Sequence, residues 1–154
     1  MAYSDRTPAG PRPGGMSLPR ILALVVGVVY TLISLAGFLV TGFDNFASEN
    51  GDSLLGFEVN PLHNVVHLLT GVLGLVMARR LATARTYGWI LFVAYAAVFI
   101  YGLFAGGDPD ADILALNGPD HVLHLLTALA GLAIALWPVR GEVRAGADER
   151  ARLG

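Results

Sequence analysis

Four long apolar stretches, separated by polar connections, dominate the pattern of this chain. They run over about 21–41, 62–78, 87–104 and 122–139. An α-helix needs about 20 apolar residues to cross the hydrocarbon core of a bilayer, with a lower limit near 17. The pattern therefore predicts an all-α integral membrane protein of four transmembrane helices, the second and fourth being the shortest. The first stretch is longer than the apolar core of a signal peptide, so it reads as a retained span. Pro61 and Pro119 stand at helix entries, where the missing N–H costs nothing. Asn60 and Asn117 precede them as N-caps. Arg79-Arg80 and Arg140 end the second and fourth stretches. The short connection Leu81–Thr86 makes the second and third helices antiparallel neighbours. Gly42–Val59 and Gly106–Pro119 are longer and acidic, without a run able to form a core, so they read as loops carrying at most a short lid.

The charges add an orientation. All ten cations are arginines. Arg6, Arg12 and Arg20 precede the first span, Arg79, Arg80 and Arg85 separate the second from the third, and Arg140, Arg144, Arg150 and Arg152 follow the fourth. The two other connections hold only acids: Asp44, Glu49, Asp52, Glu58, Asp108, Asp110, Asp112 and Asp120. By the positive-inside rule both termini are cytoplasmic, in the cytoplasmic membrane (N-in/C-in). Residues 1–19, rich in Pro and Gly, read as a disordered cytoplasmic tail. Residues 20–140 form the membrane domain and 141–154 a second cytoplasmic tail. Trp89 and Trp137 suit the cytoplasmic interface belt.

Composition narrows the chemistry. At 154 residues, 55% hydrophobic and 14% charged, the chain is one domain and too apolar for a soluble one. It has no cysteine, which excludes disulfides, thiolate nucleophiles and Cys-ligated metal centres. Its net charge of −2 carries no global basic patch for nucleic acid.

An internal repeat is visible. His67-Leu68-Leu69-Thr70 with Gly74-Leu75 recurs as His124-Leu125-Leu126-Thr127 with Gly131-Leu132. Upstream, Pro61-Leu62-His63 aligns with Pro119-Asp120-His121 once one residue is gapped. Tyr30 with Gly37 matches Tyr95 with Gly102. The chain reads as a tandem repeat of two helical hairpins related by an axis along the membrane normal. On the second helix His63, His67, Gly71 and Gly74 share one face, and on the fourth His121, His124, Ala128 and Gly131 do. Small residues permit close helix approach, so these faces point into the bundle.

The expected functional locus is thus an extracytoplasmic polar pocket of His63, His67, His121, His124 and Asp120. Asn60, Asn64, Asn117, Tyr30 and Tyr95 stand around it as supporting groups. Intramembrane ionisable residues mark function by default, although imidazoles and caps at this depth also serve simply to hydrogen-bond the loops. The reading preferred from the residues is a structural or partner- and ligand-binding bundle, with the lipid bilayer as its surroundings and a membrane-protein partner or homo-oligomer open. The alternative is a redox protein holding a transition metal, or haem between His67 and His124. An enzyme is disfavoured, since neither an HExxH motif nor a Ser or Cys nucleophile motif is present. Conduction is disfavoured too, because the span interiors lack Asp, Glu and Arg.

Asn60-Pro61-Leu62-His63-Asn64-Val65-Val66-His67-Leu68, with Gly71 and Gly74, resembles the hallmark segment of the bacterial membrane family called domain of unknown function 4383. Asn117-x-x-Asp120-x-x-Leu123-His124 resembles that family's entry to its last helix. The likeness covers about Arg20 to Val139. It implies a four-span protein, common in actinobacteria, with no established activity, and with His63, Asn64, His67, Asp120 and His124 at the family's polar positions. His121 departs from the pattern, which implies three His plus Asp120 as the general constellation.

Overall fold

A computed structural model describes residues 15–48, 51–106, 108 and 110–139. Most of the two expected tails lies outside these residues. Within them stand four helices and one small hairpin, in the order α1 (Leu18–Thr41), β1 (Asp52–Leu54), β2 (Phe57–Val59), α2 (Pro61–Met77), α3 (Leu81–Ala105) and α4 (Gly118–Leu136). Helices α1, α3 and α4 are long and apolar enough to cross a membrane, and α2 is a shorter apolar helix of 17 residues. The exterior is apolar: Leu32, Leu35, Leu39, Leu69, Val93 and Leu126 are all exposed on helix faces. Small and polar side chains fill the interior, including Ala23, Ala84, Ala128, Ser34, Asn64 and three histidines. That inversion suits a bundle solvated by lipid, where leucine gains nothing by turning inward.

Glycine sets the helix spacing. A Cβ on Gly27 of α1 would lie 2.7 Å from the Leu75 amide nitrogen of α2. One on Gly88 of α3 would lie 2.7 Å from both the Ala135 amide nitrogen and the Gly131 carbonyl oxygen of α4. Backbones therefore touch within α1–α2 and within α3–α4, and the bundle is two tight helix pairs laid side by side. Two hydroxyl pairs join them. Tyr30 of α1 and Thr127 of α4 share a hydrogen bond of 2.5 Å, and Tyr95 of α3 donates to Thr70 of α2 at 3.2 Å.

The two ends of the bundle differ in chemistry. At one, Arg20 Nε donates to the Ala78 carbonyl (3.0 Å) and Arg85 Nη2 to that of Trp137 (3.0 Å), next to Arg79 and Arg80. At the other, the two loops are knitted together. Asn60 Nδ2 donates to the carbonyls of Ser48 (2.8 Å) and Ile113 (2.9 Å), and Asn117 Nδ2 donates to Gly56 (3.0 Å). Asp112 accepts from the amides of Leu116 (2.8 Å) and Leu114 (3.3 Å). The Tyr101 hydroxyl donates to the Ala111 carbonyl and accepts from the Ile113 amide.

Three expectations from the apolar pattern need correction. Leu81–Thr86 is not a connection but the first turns of α3, leaving Arg79-Arg80 as the link. These residues are too polar to extend a hydropathy window, yet good helix formers. Trp137–Val139 is not helical, because Pro138 disfavours helical backbone in the residue before it. The first long loop is not structureless: β1 and β2 pair antiparallel through Leu54↔Phe57, with Leu55 and Gly56 both at positive φ in the turn (54° and 90°).

Candidate metal-binding site

The site is assembled from the first two turns of α2 and α4. Asn60 caps α2 by accepting from the His63 amide (2.8 Å). Asn117 and Asp120 form a capping box on α4, with Asp120 Oδ2 accepting from the Asn117 amide (3.1 Å). Both caps fix the rotational phase of their helices, and hence where each histidine points.

Counted from those caps, the matching residues of α2 and α4 share one register. Asn60 to Asn117, Asn64 to His121, His67 to His124 and Thr70 to Thr127 are all separated by one and the same interval. His63 therefore corresponds to Asp120, and His121 corresponds to Asn64 rather than to His63. The structure places them accordingly. Asn64 packs against Gly37 of α1, donating to the Thr41 hydroxyl (3.1 Å), while His121 packs against Gly102 of α3. The expected four-histidine cluster is thus a cluster of three: His121 lies on the α3-facing side, partly buried.

His63, His67 and His124 each offer a ring nitrogen, and these atoms all lie within 4.8 Å of one another. All three side chains are buried, at 1–2% exposure. Ring centroids are 4.3 Å apart for His63–His67, 5.8 Å for His63–His124 and 6.3 Å for His67–His124. Tyr30 and Tyr95 close the inner side, Tyr30 edge-on to His67 at 4.8 Å and Tyr95 5.5 Å from His124.

One proton can be placed from geometry. His63 Nδ1 lies 3.0 Å from the Leu114 carbonyl oxygen. A carbonyl only accepts, so Nδ1 carries the hydrogen and Nε2 keeps its lone pair. That lone pair faces His67 Nε2 at 3.1 Å. With nothing bound, His67 Nε2 donates to it. The Nδ1 atoms of His67 and His124 have no hydrogen-bond partner.

Among the supporting groups expected from sequence, Tyr30 and Tyr95 touch the imidazoles, and Asn60 and Asn117 act as caps and loop ties. Asn64 holds α1 to α2, its carbonyl accepting from Ser34 (2.7 Å). Asp120, 0% exposed, stands one helical turn before His124, with Oδ1 unpartnered. Two contributors escaped the sequence reading: the Leu114 carbonyl, which is a backbone group, and Thr127, whose only sequence trace was its place in the repeated His-Leu-Leu-Thr string.

Three imidazoles without a neighbouring cation form a donor set for Zn, Cu, Ni or Fe. Two nitrogens on one zinc, with bonds of about 2.0–2.1 Å, stand roughly 3.3 Å apart in a tetrahedron. The 3.1 Å between His63 and His67 is close to that. The widest separation, 4.8 Å, exceeds the roughly 4.2 Å reach of two such bonds in line, so a bound ion draws the set inward. Haem does not fit. A macrocycle between His67 and His124 would have to occupy the space that His63, Tyr30 and Tyr95 fill at 4.3–5.8 Å ring spacings.

The architecture defines a class: an apolar-surfaced helical bundle with buried imidazoles beneath a knitted loop cap. The family model described as Domain of unknown function (DUF4383) matches residues 20–137. The chain belongs to this family. Neither a curated protein nor a solved structure matches it.

Proposed function

We propose that this protein is a membrane-embedded metal-binding bundle in which His63, His67 and His124 hold one transition-metal ion. The observation that carries the reading is the convergence of three buried ring nitrogens within 4.8 Å, one of them already oriented by a backbone carbonyl. A carbonyl or carboxylate on the distal nitrogen is the usual partner of a metal-bound histidine. Burial of three imidazoles with two Nδ1 atoms unpartnered is costly for packing alone. Three protein ligands leave a fourth position open, as in sites that exchange a ligand at the metal.

The bundle is set in the cytoplasmic membrane with both termini inside and the site near the outer face. Segregation of Arg20, Arg79, Arg80 and Arg85 at one end supports this orientation. Descent from a tandem helical hairpin is supported by the reciprocal pairs Tyr30–Thr127 and Tyr95–Thr70, which join matching positions of the two halves. The domain plan is a membrane unit over 20–140 flanked by cytoplasmic tails.

Elemental analysis of detergent-purified protein, after dialysis against Zn²⁺, Cu²⁺ or Ni²⁺, tests the reading. One ion per chain is expected, lost in His63→Ala, His67→Ala and His124→Ala and retained in His121→Ala. Folding of each variant is checked by thermal melting. A wild type that stays metal-free, or equal loading of all four variants, sinks it.

A further inference from the structure

The β1–β2 hairpin hangs down the side of the bundle, β1 on α1 and β2 on α4. Leu54 and Phe57 meet Ile33 of α1 and Leu123 of α4 around a void of about 80 Å³. Ile33 precedes the end of α1 at Thr41 by about two helical turns, or roughly 12 Å. The hairpin is one layer thick. Half-buried Leu54 and Phe57 and buried Val59 face the bundle, while Ser53 and Glu58 are exposed. His67 contributes to the inner wall, and the surface of the void is apolar. The hairpin therefore lies here on incomplete apolar contact, as a single cover over the wall that holds His67.

A site this closed needs a way in. His63, His67 and His124 are 1–2% exposed, so an ion reaches them only through local opening. Two covers compete for that role. The loop cap is bound by Asn60 to Ser48 and Ile113, and by His63 itself to the Leu114 carbonyl, so opening it dismantles the site. The base of the hairpin is fixed too, since β2 runs through buried Val59 into Asn60 and α2. Its tip is held differently. Asn117 Nδ2 donates to the Gly56 carbonyl at 3.0 Å, in an exposed bond. Leu55 beside it is 87% exposed, so little contact is lost as the tip leaves. We propose that the hairpin is the lateral gate of the histidine site. It swings out about Val59 when the Asn117–Gly56 bond breaks, and the ion enters and leaves between α1 and α4. Asn117 also caps α4, its Oδ1 accepting from the Asp120 amide (3.2 Å). The two jobs separate chemically: serine still caps through its oxygen but has no amide to reach Gly56. Opening moves no ligand of the ion, so the latch sets the rate of exchange and not the affinity. The ion's route rests on the metal reading, whereas the motion of the hairpin does not.

Two rates test the gate on the full-length chain in detergent, with and without Asn117→Ser, or Asn117→Asp where the serine variant does not fold. In metal-free protein a single thiol behind the hairpin, Ile33→Cys, is labelled with N-ethylmaleimide, against lipid-facing Leu35→Cys as control. In zinc-loaded protein without an added thiol, zinc release to a chelator is timed and Kd is measured. Removing the latch is expected to speed labelling at Ile33→Cys about fivefold, the worth of one net hydrogen bond, and to leave Leu35→Cys unchanged. Zinc release is expected to quicken by the same factor, with Kd unchanged. Unchanged labelling at Ile33→Cys overturns the latch. Faster labelling with unchanged zinc release overturns the gate. Weaker zinc binding with neither rate changed overturns both and reduces Asn117 to a helix cap. A wild type that binds no zinc defeats the metal reading instead, and labelling alone then supports or overturns the motion of the hairpin.

Discussion

At the scale of single residues, Asn60 shows how much one side chain can decide. Its Oδ1 caps α2 and its Nδ2 binds a carbonyl in each loop, Ser48 and Ile113. Losing a cap costs about 0.5–2 kcal/mol, and each buried carbonyl left without a donor adds about 1–3 kcal/mol. Asn60→Ala is expected to destabilise the bundle by at least about 2.5 kcal/mol, the low end of these terms together, measured by reversible unfolding in mixed micelles. A loss below about 1 kcal/mol would mean that the cap does not tie the loops. Residue identities alone placed His63, His67 and His124 on inward faces correctly. His121 was misplaced because a gapped alignment set it against His63, when the caps at Asn60 and Asn117 show that its counterpart is Asn64. The helix cap, not the nearest matching letter, is the origin from which a helical register is counted.

At the scale of elements, apolar runs located all four helices but not their ends. Hydropathy reports the lipid-facing middle of a helix and is blind to polar turns in the headgroup region, so the start of α3 at Leu81 went unread. The hairpin was missed for a different reason. Its turn is Leu55-Gly56 rather than the Asn-Gly or Asp-Gly that announces a two-residue turn, and leucine at a φ of 54° is uncommon. Glycine spacing marked Gly71, Gly74 and Gly131 as inward faces, but not which helix each face meets, and Gly88 went unread. Gly27, Gly71 and Gly74 bring α1 onto α2, and Gly88 and Gly131 bring α3 onto α4, at backbone contact. What no periodicity could supply is the partner of each face: between the helix pairs, Tyr and Thr hydroxyls meet beside a buried apolar cluster that includes Ala23, Leu91 and Ile134.

At the scale of the whole molecule, two ends of opposite character frame a polar interior. The absence of cysteine makes the orientation easy to test with single introduced thiols. Exposed Ser53 on β1 and exposed Ala82 at the start of α3 lie at opposite ends. A membrane-impermeant maleimide added to intact cells is expected to label Ser53→Cys and to leave Ala82→Cys unlabelled until lysis. The reverse pattern would invert the bundle and put the site at the cytoplasmic face.

The central claim is that three imidazoles from two helices meet on one ion. X-ray absorption at the metal edge of the loaded protein reads the coordination directly. The account predicts three imidazole nitrogens, at about 2.0–2.1 Å for zinc, with one further oxygen or nitrogen ligand completing the shell. A six-oxygen shell without imidazole scattering would contradict it, and would leave His63, His67 and His124 as hydrogen-bonding groups of the loop cap.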